Sequence, residues 1–143
     1  MFSIIIPTLN NLRYLKLCIE SINKNSKYKH EIIPHINIGS DGTIEYLKKN
    51  NIDFTYTAEN SGICKGMNLA AKKSTKDYIL YAHDDFYFCP NWDLILEKEI
   101  NFIGHNKFYL SGTMMHNGQI NFNCGDTADT FDENYFLSNY KDY

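Results

Sequence analysis

Two aspartates, Asp84 and Asp85, stand side by side after the apolar run Tyr78–Ala82 and His83. Adjacent carboxylates at a strand end repel each other unless something positive or hydrogen-bonding compensates. Neighbours on a strand point to different sides. One can therefore grip a cation while the other accepts a hydrogen bond from a hydroxyl such as a ribose. Carboxylate oxygens suit the hard cations Mg2+ and Mn2+, which also take phosphate oxygens from a substrate. The plainer reading is a polar strand end with an Asp capping the next turn. A place after a buried strand in a βα series brings the two readings close. His83 fits a hydrogen-bonded structural residue better than a third ligand.

Other loops carry weaker signals. Gly39-Ser40-Asp41-Gly42-Thr43 reads as a turn into a helix, with Ser40 or Asp41 as its cap. A helix N-terminus with free N–H groups also attracts anionic ligands. Asn60-Ser61-Gly62 precedes a helix that carries Lys65 and Asn68. Lys65 could face a diphosphate, although a solvent-facing lysine is the plainer reading. Neither GxGxxG nor GxxxxGKS/T occurs, which disfavours a dinucleotide site and a P-loop. The four cysteines and five histidines show no ligand spacing and no nucleophile–His–acid arrangement. Without a secretion signal, the cysteines read as free thiols and the location as cytoplasmic.

The elements that must position these residues follow from the hydrophobic pattern. Phe2–Pro7 reads as a strand covered on both faces and stopped by Pro7 and Thr8. Asn10 or Asn11 can cap a helix whose stripe is Leu12, Leu15, Ile19 and Ile22. A second strand runs from Glu31 to about Ile38, then a helix over Thr43–Lys49 and a third strand over Ile52–Thr57. Ile63–Lys73 reads as a helix that buries Ile63, Met67, Ala70 and Ala71. Tyr78–Ala82 is the fourth strand. Pro90 suits the first turn of a helix with Trp92, Ile95, Leu96, Glu99 and Ile103 on one side. Phe108–Leu110 and Gln119–Phe122 read as short strands, and Thr130–Tyr143 as partly helical.

Strand and helix thus alternate four times, the pattern of a mainly parallel sheet with helices on both faces. In such sheets ligands bind beyond the carboxyl ends of the strands, near the point where strand order reverses. Thr8, Asn10, Ser40, Asp41, Glu59, Asn60, Asp84 and Asp85 all fall at those ends.

The chain has 143 residues, 43% apolar and 22% charged, which fits one globular domain. Residues 1–76 hold eleven Lys/Arg against six Asp/Glu, and residues 77–143 hold three against eleven. An acidic second half with one Arg in the whole chain disfavours a nucleic-acid binder and suits a bound cation. No apolar run approaches the length of a transmembrane segment.

The order Ser3–Asn10, Gly39–Thr43, Glu59–Gly62 through Asn68–Ala70, and His83-Asp84-Asp85 resembles the GT-A glycosyltransferases of the inverting family 2 type. The likeness spans roughly residues 2–93, with weaker echoes beyond. It implies a Rossmann-like GT-A fold, with residues 1–93 as the nucleotide-sugar half and 94–143 as a partial acceptor-side half. It implies a nucleotide-diphospho-sugar donor (UDP- or GDP-linked), a saccharide or other hydroxyl acceptor, and Mg2+ or Mn2+. Pro7, Thr8 and Asn10 match the loop that borders the nucleotide, Asp41 matches the Asp of the following turn, and Asn60 and Lys65 lie in the next matching segment. Asn37 stands where the family carries an acidic residue that holds the base. Asp84 and Asp85 match the last two positions of the family's acidic triplet. Asp85 is then the metal ligand and Asp84 the ribose or metal partner.

Phe131–Phe136 resembles an FDExFF stretch, after which the family supplies its general base. Asp142 is the candidate base, with Asp132 and Glu133 behind it. The family's domain continues past this point. The expectation is therefore a short transferase, or a binding module that holds the donor and works as a homo-oligomer or with a partner chain. A nucleotidyltransferase would need a Gly-rich, basic first loop, which Thr8–Arg13 is not.

Overall fold

The computed structural model describes residues 1–113, 115 and 121–140. Its elements are β1 (Phe2–Leu9), α1 (Leu12–Asn25), β2 (Glu31–Asn37), α2 (Thr43–Lys49), β3 (Thr55–Thr57), α3 (Ile63–Ala71), β4 (Tyr78–Tyr81), α4 (Trp92–Ile103), a 3-10 turn (Ala128–Thr130) and α5 (Glu133–Asn139). The four strands form one parallel sheet in the order β3-β2-β1-β4. The order reverses between β1 and β4, so the crevice at their carboxyl ends is the place the topology reserves for a ligand.

Alternation along β1 decides which helices cover which face. Ile4 and Ile6 join Leu15, Cys18, Ile19 and Ile22 of α1, Leu47 of α2 and Trp92 of α4 in the main core. Ile5 points the other way, to Ile33 and Ala70, with Met67 and Ala71 packed beside them. Helices α1, α2 and α4 thus lie on one face and α3 on the other, which is the architecture the pattern predicts.

Several boundaries differ from the sequence reading, each for a local reason. β1 does not stop at Pro7 and Thr8 but continues to Leu9. The Ile5 carbonyl accepts Ala82 N–H at 3.1 Å, so alternate residues from Ile5 onward address β4. The β4 ladder ends at Ile5↔Tyr81, and the missing N–H of Pro7 therefore costs no ladder bond. Pro34 is tolerated likewise, because β3 pairs with β2 only from His35 onward. β2 ends at Asn37, one residue early, where Ile38 turns to φ 69°. β3 begins at Thr55 rather than Ile52, because Ile52 N–H is still closing α2 onto the Leu47 carbonyl at 3.0 Å.

Helix α3 ends at Ala71 rather than Lys73, where Lys73 and Ser74 make tighter bonds to Ala70 and Ala71. Its inner face is Gly66 and Ala70, while Ile63 is exposed. β4 ends at Tyr81, one residue before the expected Ala82. α4 starts at Trp92, since Asn91 (φ 64°) separates it from Pro90, and Ile95 is exposed where Leu96 and Ile100 pack. Phe108–Leu110 is not a strand; Phe108 instead packs on the Tyr78 ring at 5.7 Å. Of the expected Gln119–Phe122 strand, Asn121 and Phe122 are irregular and the rest lies outside the described residues.

Gly66 has a packing duty. A Cβ there would sit 2.4 Å from Cδ2 of the buried His35 ring. Alanine normally gains roughly 1 kcal/mol over glycine in a helix. Here overpacking against a confined ring should outweigh that gain. Gly66→Ala is expected to lower unfolding free energy by about 1–3 kcal/mol in a urea melt. A gain in stability would show that the ring can move aside.

Candidate functional site

Hydrogen bonds tie the four carboxyl-end loops into one edge. Thr8 Oγ1 donates to Asp84 Oδ2 at 2.6 Å, joining β1 to the loop after β4. Ser40 N–H donates to Asn10 Oδ1 at 2.9 Å, and Leu12 N–H to Asp41 Oδ2 at 2.8 Å, joining the loops after β1 and β2. Ser61 N–H donates to Asn37 Oδ1 at 2.8 Å, joining the loops after β2 and β3. Asn10, with φ 47°, occupies the left-handed region that Asn tolerates better than most residues.

Asp41 also accepts from Thr43 N–H at 3.2 Å and Thr43 Oγ1 at 2.6 Å at the entry to α2. It thereby serves the first turns of both α1 and α2. Neither Asn10 nor Asn11 caps α1 through its side chain. Asp41 takes the Leu12 N–H, and the Asn11 side chain hydrogen-bonds Asp84. Asn11 is thus a site residue that the sequence reading assigned to capping alone.

The two aspartates have different surroundings. Asp84 is half-buried. Burial pushes its carboxyl above the usual carboxylate range, hydrogen bonds from Thr8 and Asn11 pull it back, and the charge of Asp85 raises it further. Asp85 is exposed and lines a cavity of about 150 Å³ with Tyr14, Leu17, Tyr87, Asp126 and Phe131. The two carboxylates thus have separate surroundings in the turn after β4, Asp84 against Thr8 and Asp85 against the cavity. A larger cavity, about 340 Å³, lies at the amino-terminal edge beside Lys27, Tyr28 and His30. It touches none of these carboxylates.

The negative field of the pair is felt at Cys18. Burial first, then Asp84 and Asp85, push its thiol up to about 12. A thiol so held is protonated at neutral pH. His83 is engaged by the Tyr81 hydroxyl at 2.9 Å and packs on Phe86, the structural role expected of it. No cluster of three His, Cys, Asp or Glu poised for a metal occurs among the described residues. Two adjacent carboxylates still fit a hard cation of the Mg2+ type, which binds through one or two carboxylates and fills its shell with water and substrate phosphate.

The remaining candidates are placed as follows. Pro7 is buried in β1, and Asn60 accepts Gly62 N–H at 3.0 Å in the turn before α3. Lys65 is exposed on α3, and its charge reaches His35. Asp132 caps α5, accepting Tyr135 N–H at 2.9 Å. Glu133 accepts from Lys24 Nζ and, at 2.6 Å, from the Tyr87 hydroxyl. Those bonds to Lys24 and Tyr87 hold it below the usual carboxylate range. Tyr87 also packs against Phe131 and Phe136, so α5 is docked on its own chain near Asp85. Asp142 lies outside the described residues. No helix among them is long and apolar enough to cross a membrane.

Known proteins share this fold. A glycosyltransferase of unassigned specificity from Rickettsia bellii (strain RML369-C) is 31% identical over 115 residues, 78% of this chain and 16% of that protein. The crystal structure of S. aureus TarS 1-349 in complex with UDP superposes with a TM-score of 0.60 at 24% identity, covering 72% of this chain and 32% of that one. The complex of TarS 1-349 with UDP-GlcNAc gives a TM-score of 0.58 at 21% identity, covering 73% and 31%. The chain thus spans less than a third of these relatives' length. Residues 3–135 match the family profile of glycosyl transferase family 2, and the chain belongs to that family with a GT-A fold.

Proposed function

We propose that this chain binds a nucleotide-diphospho-sugar, UDP- or GDP-linked, at the carboxyl edge of its sheet for inverting transfer to an acceptor hydroxyl. The observation that carries the reading is the split role of the acidic pair. Thr8 and Asn11 fix Asp84 at the strand-order reversal, while Asp85 faces the cavity. Asp85, helped by Asp84, would hold Mg2+ or Mn2+. Such an ion, when bound, offsets the charge that develops on the leaving diphosphate. The UDP and UDP-GlcNAc complexes of TarS support the donor class.

The chain's own residues supply the positioning. Thr8, Asn10, Asn37 and Asp41 hold the loops that border the nucleotide, and Lys65 supplies positive charge from α3. The base must be ionised and reach the acceptor hydroxyl. Glu133 is held ionised near the same cavity, and Asp132 and Asp142 stand as the other candidates. A non-catalytic donor-binding module is the second reading. It is favoured by the hydrogen bonds that already occupy Asp132 and Glu133.

Calorimetric titration with UDP and GDP, each with and without Mn2+, tests the donor site. The expected result is binding of at least one nucleotide that strengthens tenfold or more, roughly, when Mn2+ is present. No binding of either under any condition would defeat the proposal. Release of nucleoside diphosphate from UDP-GlcNAc in the presence of acceptor saccharides then separates enzyme from module.

A further inference from the structure

Eight of the thirteen lysines gather at the end of the sheet opposite Asp84 and Asp85. The sheet is parallel, so the connections leading into β2, β3 and β4 all lie at its amino-terminal edge. The first, residues 24–31, carries Lys24, Lys27 and Lys29. The second, residues 48–55, carries Lys48 and Lys49. The third, residues 72–78, carries Lys72, Lys73 and Lys76, and all eight are exposed. Helix ends account for part of this. Lys24 lies in the last turn of α1, and Lys48 and Lys49 in that of α2, where a cation offsets the helix dipole. Lys27, Lys29 and Lys76 lie beyond the helices and have no such duty.

Little of this charge is cancelled. The same three segments hold three acids, Glu31, Asp53 and Asp77. Glu31 accepts from Ser3 Oγ, from Thr75 N–H at 2.9 Å and from Thr75 Oγ1 at 2.8 Å. Asp53 pairs with Lys73 at 2.9 Å, and Glu133 pairs with Lys24. Helix α4 adds Asp93, enclosed by its N–H donors, and Glu97, which accepts the Tyr28 hydroxyl at 3.0 Å. Among the described residues no ion pair reaches Lys27, Lys29, Lys48, Lys49, Lys72 or Lys76. The edge is also held in place. Asp93 fixes the first segment, and Lys76 N–H donates to Ser3 Oγ at 3.1 Å to fix the third. The cavity of about 340 Å³ opens here, lined by Asn23, Lys27, Tyr28 and Lys29, with room for a phosphate headgroup.

We infer that the amino-terminal edge is a docking surface for an anionic lipid bilayer, with a headgroup phosphate seated between Lys27 and Lys29. Charge complementarity carries the choice of partner. The whole chain has a formal net charge of −3, so attraction to an anionic surface has to come from this segregated edge. The field of a bilayer is diffuse and suits lysine, a hydrated point charge. Arg13, the one arginine, is engaged by Asp129 instead. Tyr28 is 39% exposed between Lys27 and Lys29, and tyrosine is a residue that settles at headgroup level. Surfaces that bind nucleic-acid strands stack bases on successive aromatics along a groove, whereas this edge is three loop ends around Tyr28. Docked in this way, the chain turns its carboxyl edge to solvent. Docking does not depend on whether that edge binds a nucleotide.

Co-sedimentation of the full chain with lipid vesicles tests the surface. At about 0.1 M NaCl the wild type should bind equimolar phosphatidylcholine–phosphatidylglycerol vesicles about tenfold or more tighter than phosphatidylcholine alone. The difference should vanish near about 0.5 M NaCl. Lys27→Gln/Lys29→Gln/Lys76→Gln should weaken binding to the mixed vesicles about tenfold or more. The backbone N–H of Lys27 that serves Asp93 is kept in that variant. Lys48→Gln/Lys49→Gln/Lys72→Gln should act in the same direction, so the result does not hang on one variant folding. The charge-matched Arg13→Gln/Lys16→Gln/Lys65→Gln, drawn from outside this edge, should change binding by less than about threefold. No binding to the mixed vesicles, or equal binding to phosphatidylcholine alone, would overturn the inference. An equal loss in the charge-matched variant would also overturn it, because overall charge would then be the cause. Binding to polyphosphate or duplex DNA without binding to vesicles would overturn it in favour of a soluble polyanion.

Discussion

Asp93→Ala should lower the unfolding free energy by about 3–5 kcal/mol, the range for removing one partner from a buried charged network. Asp93 is fully buried at the start of α4. Its carboxylate accepts Lys27 N–H at 2.8 and 3.1 Å, Tyr28 N–H at 2.9 Å, His30 Nε2 at 3.1 Å and Leu94 N–H at 3.0 Å. It thus pins the turn between α1 and β2 to the helix that covers the same face. Alanine would strand those donors away from water. For a chain of this length the loss corresponds to a fall in Tm of roughly 10 °C or more. A loss below about 1 kcal/mol in chemical denaturation would mean that water replaces the carboxylate.

The same pair gives a signed pH dependence. Burial pushes the Asp93 carboxyl up, but N–H donors from Tyr28, Lys27 and then His30 outweigh it and hold it below the usual range. Burial also dominates at His30 and holds the imidazole below its ordinary value, despite the pull of Asp93. At neutral pH the contact is therefore a hydrogen bond from a neutral ring, with His30 Nδ1 accepting Phe2 N–H at 3.4 Å. Both groups bind fewer protons folded than unfolded. Their contribution is present above the unfolded pKa values and is lost as pH falls through the folded ones. The His30 part goes first, below the ordinary imidazole range, and the Asp93 part below the ordinary carboxylate range. Asp93→Ala should accordingly flatten the acid side of a stability–pH curve.

The sheet was legible in the sequence because its signals are local. Ile4, Ile5 and Ile6 declare a strand buried on both faces, and turn residues punctuate each carboxyl end. The place of Asp84 and Asp85 just beyond β4 was legible for the same reason. What escaped depends on contacts distant in sequence. Asp93 reads as an ordinary first-turn acid until Lys27, Tyr28 and His30 are seen folded onto it. Asn11 reads as a cap until its side chain is seen to cap none of the first N–H groups of α1, while Asp41, 29 residues from Leu12, takes the Leu12 N–H. His35 carries no spacing signal at all, and only Gly66 across the α3 interface shows how tightly it is held. Pro7 misled because proline's cost depends on where a neighbouring strand ends, which the sequence of β1 does not contain.

Asp85→Ala and Asp84→Asn should separate binding from folding in opposite ways. Asp85 is exposed and faces the cavity, so its loss should leave thermal stability within about 0.5 kcal/mol of wild type. Mn2+-dependent nucleotide affinity should fall by about 100-fold in that variant, since a hard cation held by one or two carboxylates cannot spare one. Asp84 carries a cost in the ligand-free fold. Its pKa is raised by burial and by Asp85, so the folded form binds the proton more tightly than the unfolded chain. Its favourable contribution is present at low pH and is lost as pH rises through the folded value, which leaves an ionised, half-buried carboxylate at neutral pH. Asp84→Asn keeps an acceptor for Thr8 and removes that charge. It should raise the Tm of the ligand-free chain at neutral pH while still weakening Mn2+-dependent nucleotide binding. A drop in Tm together with intact binding would mean that Asp84 serves the strand end alone and that Asp85 acts without it. The expected opposite signs arise because charge density that repels itself in the empty fold is what a cation and a diphosphate require.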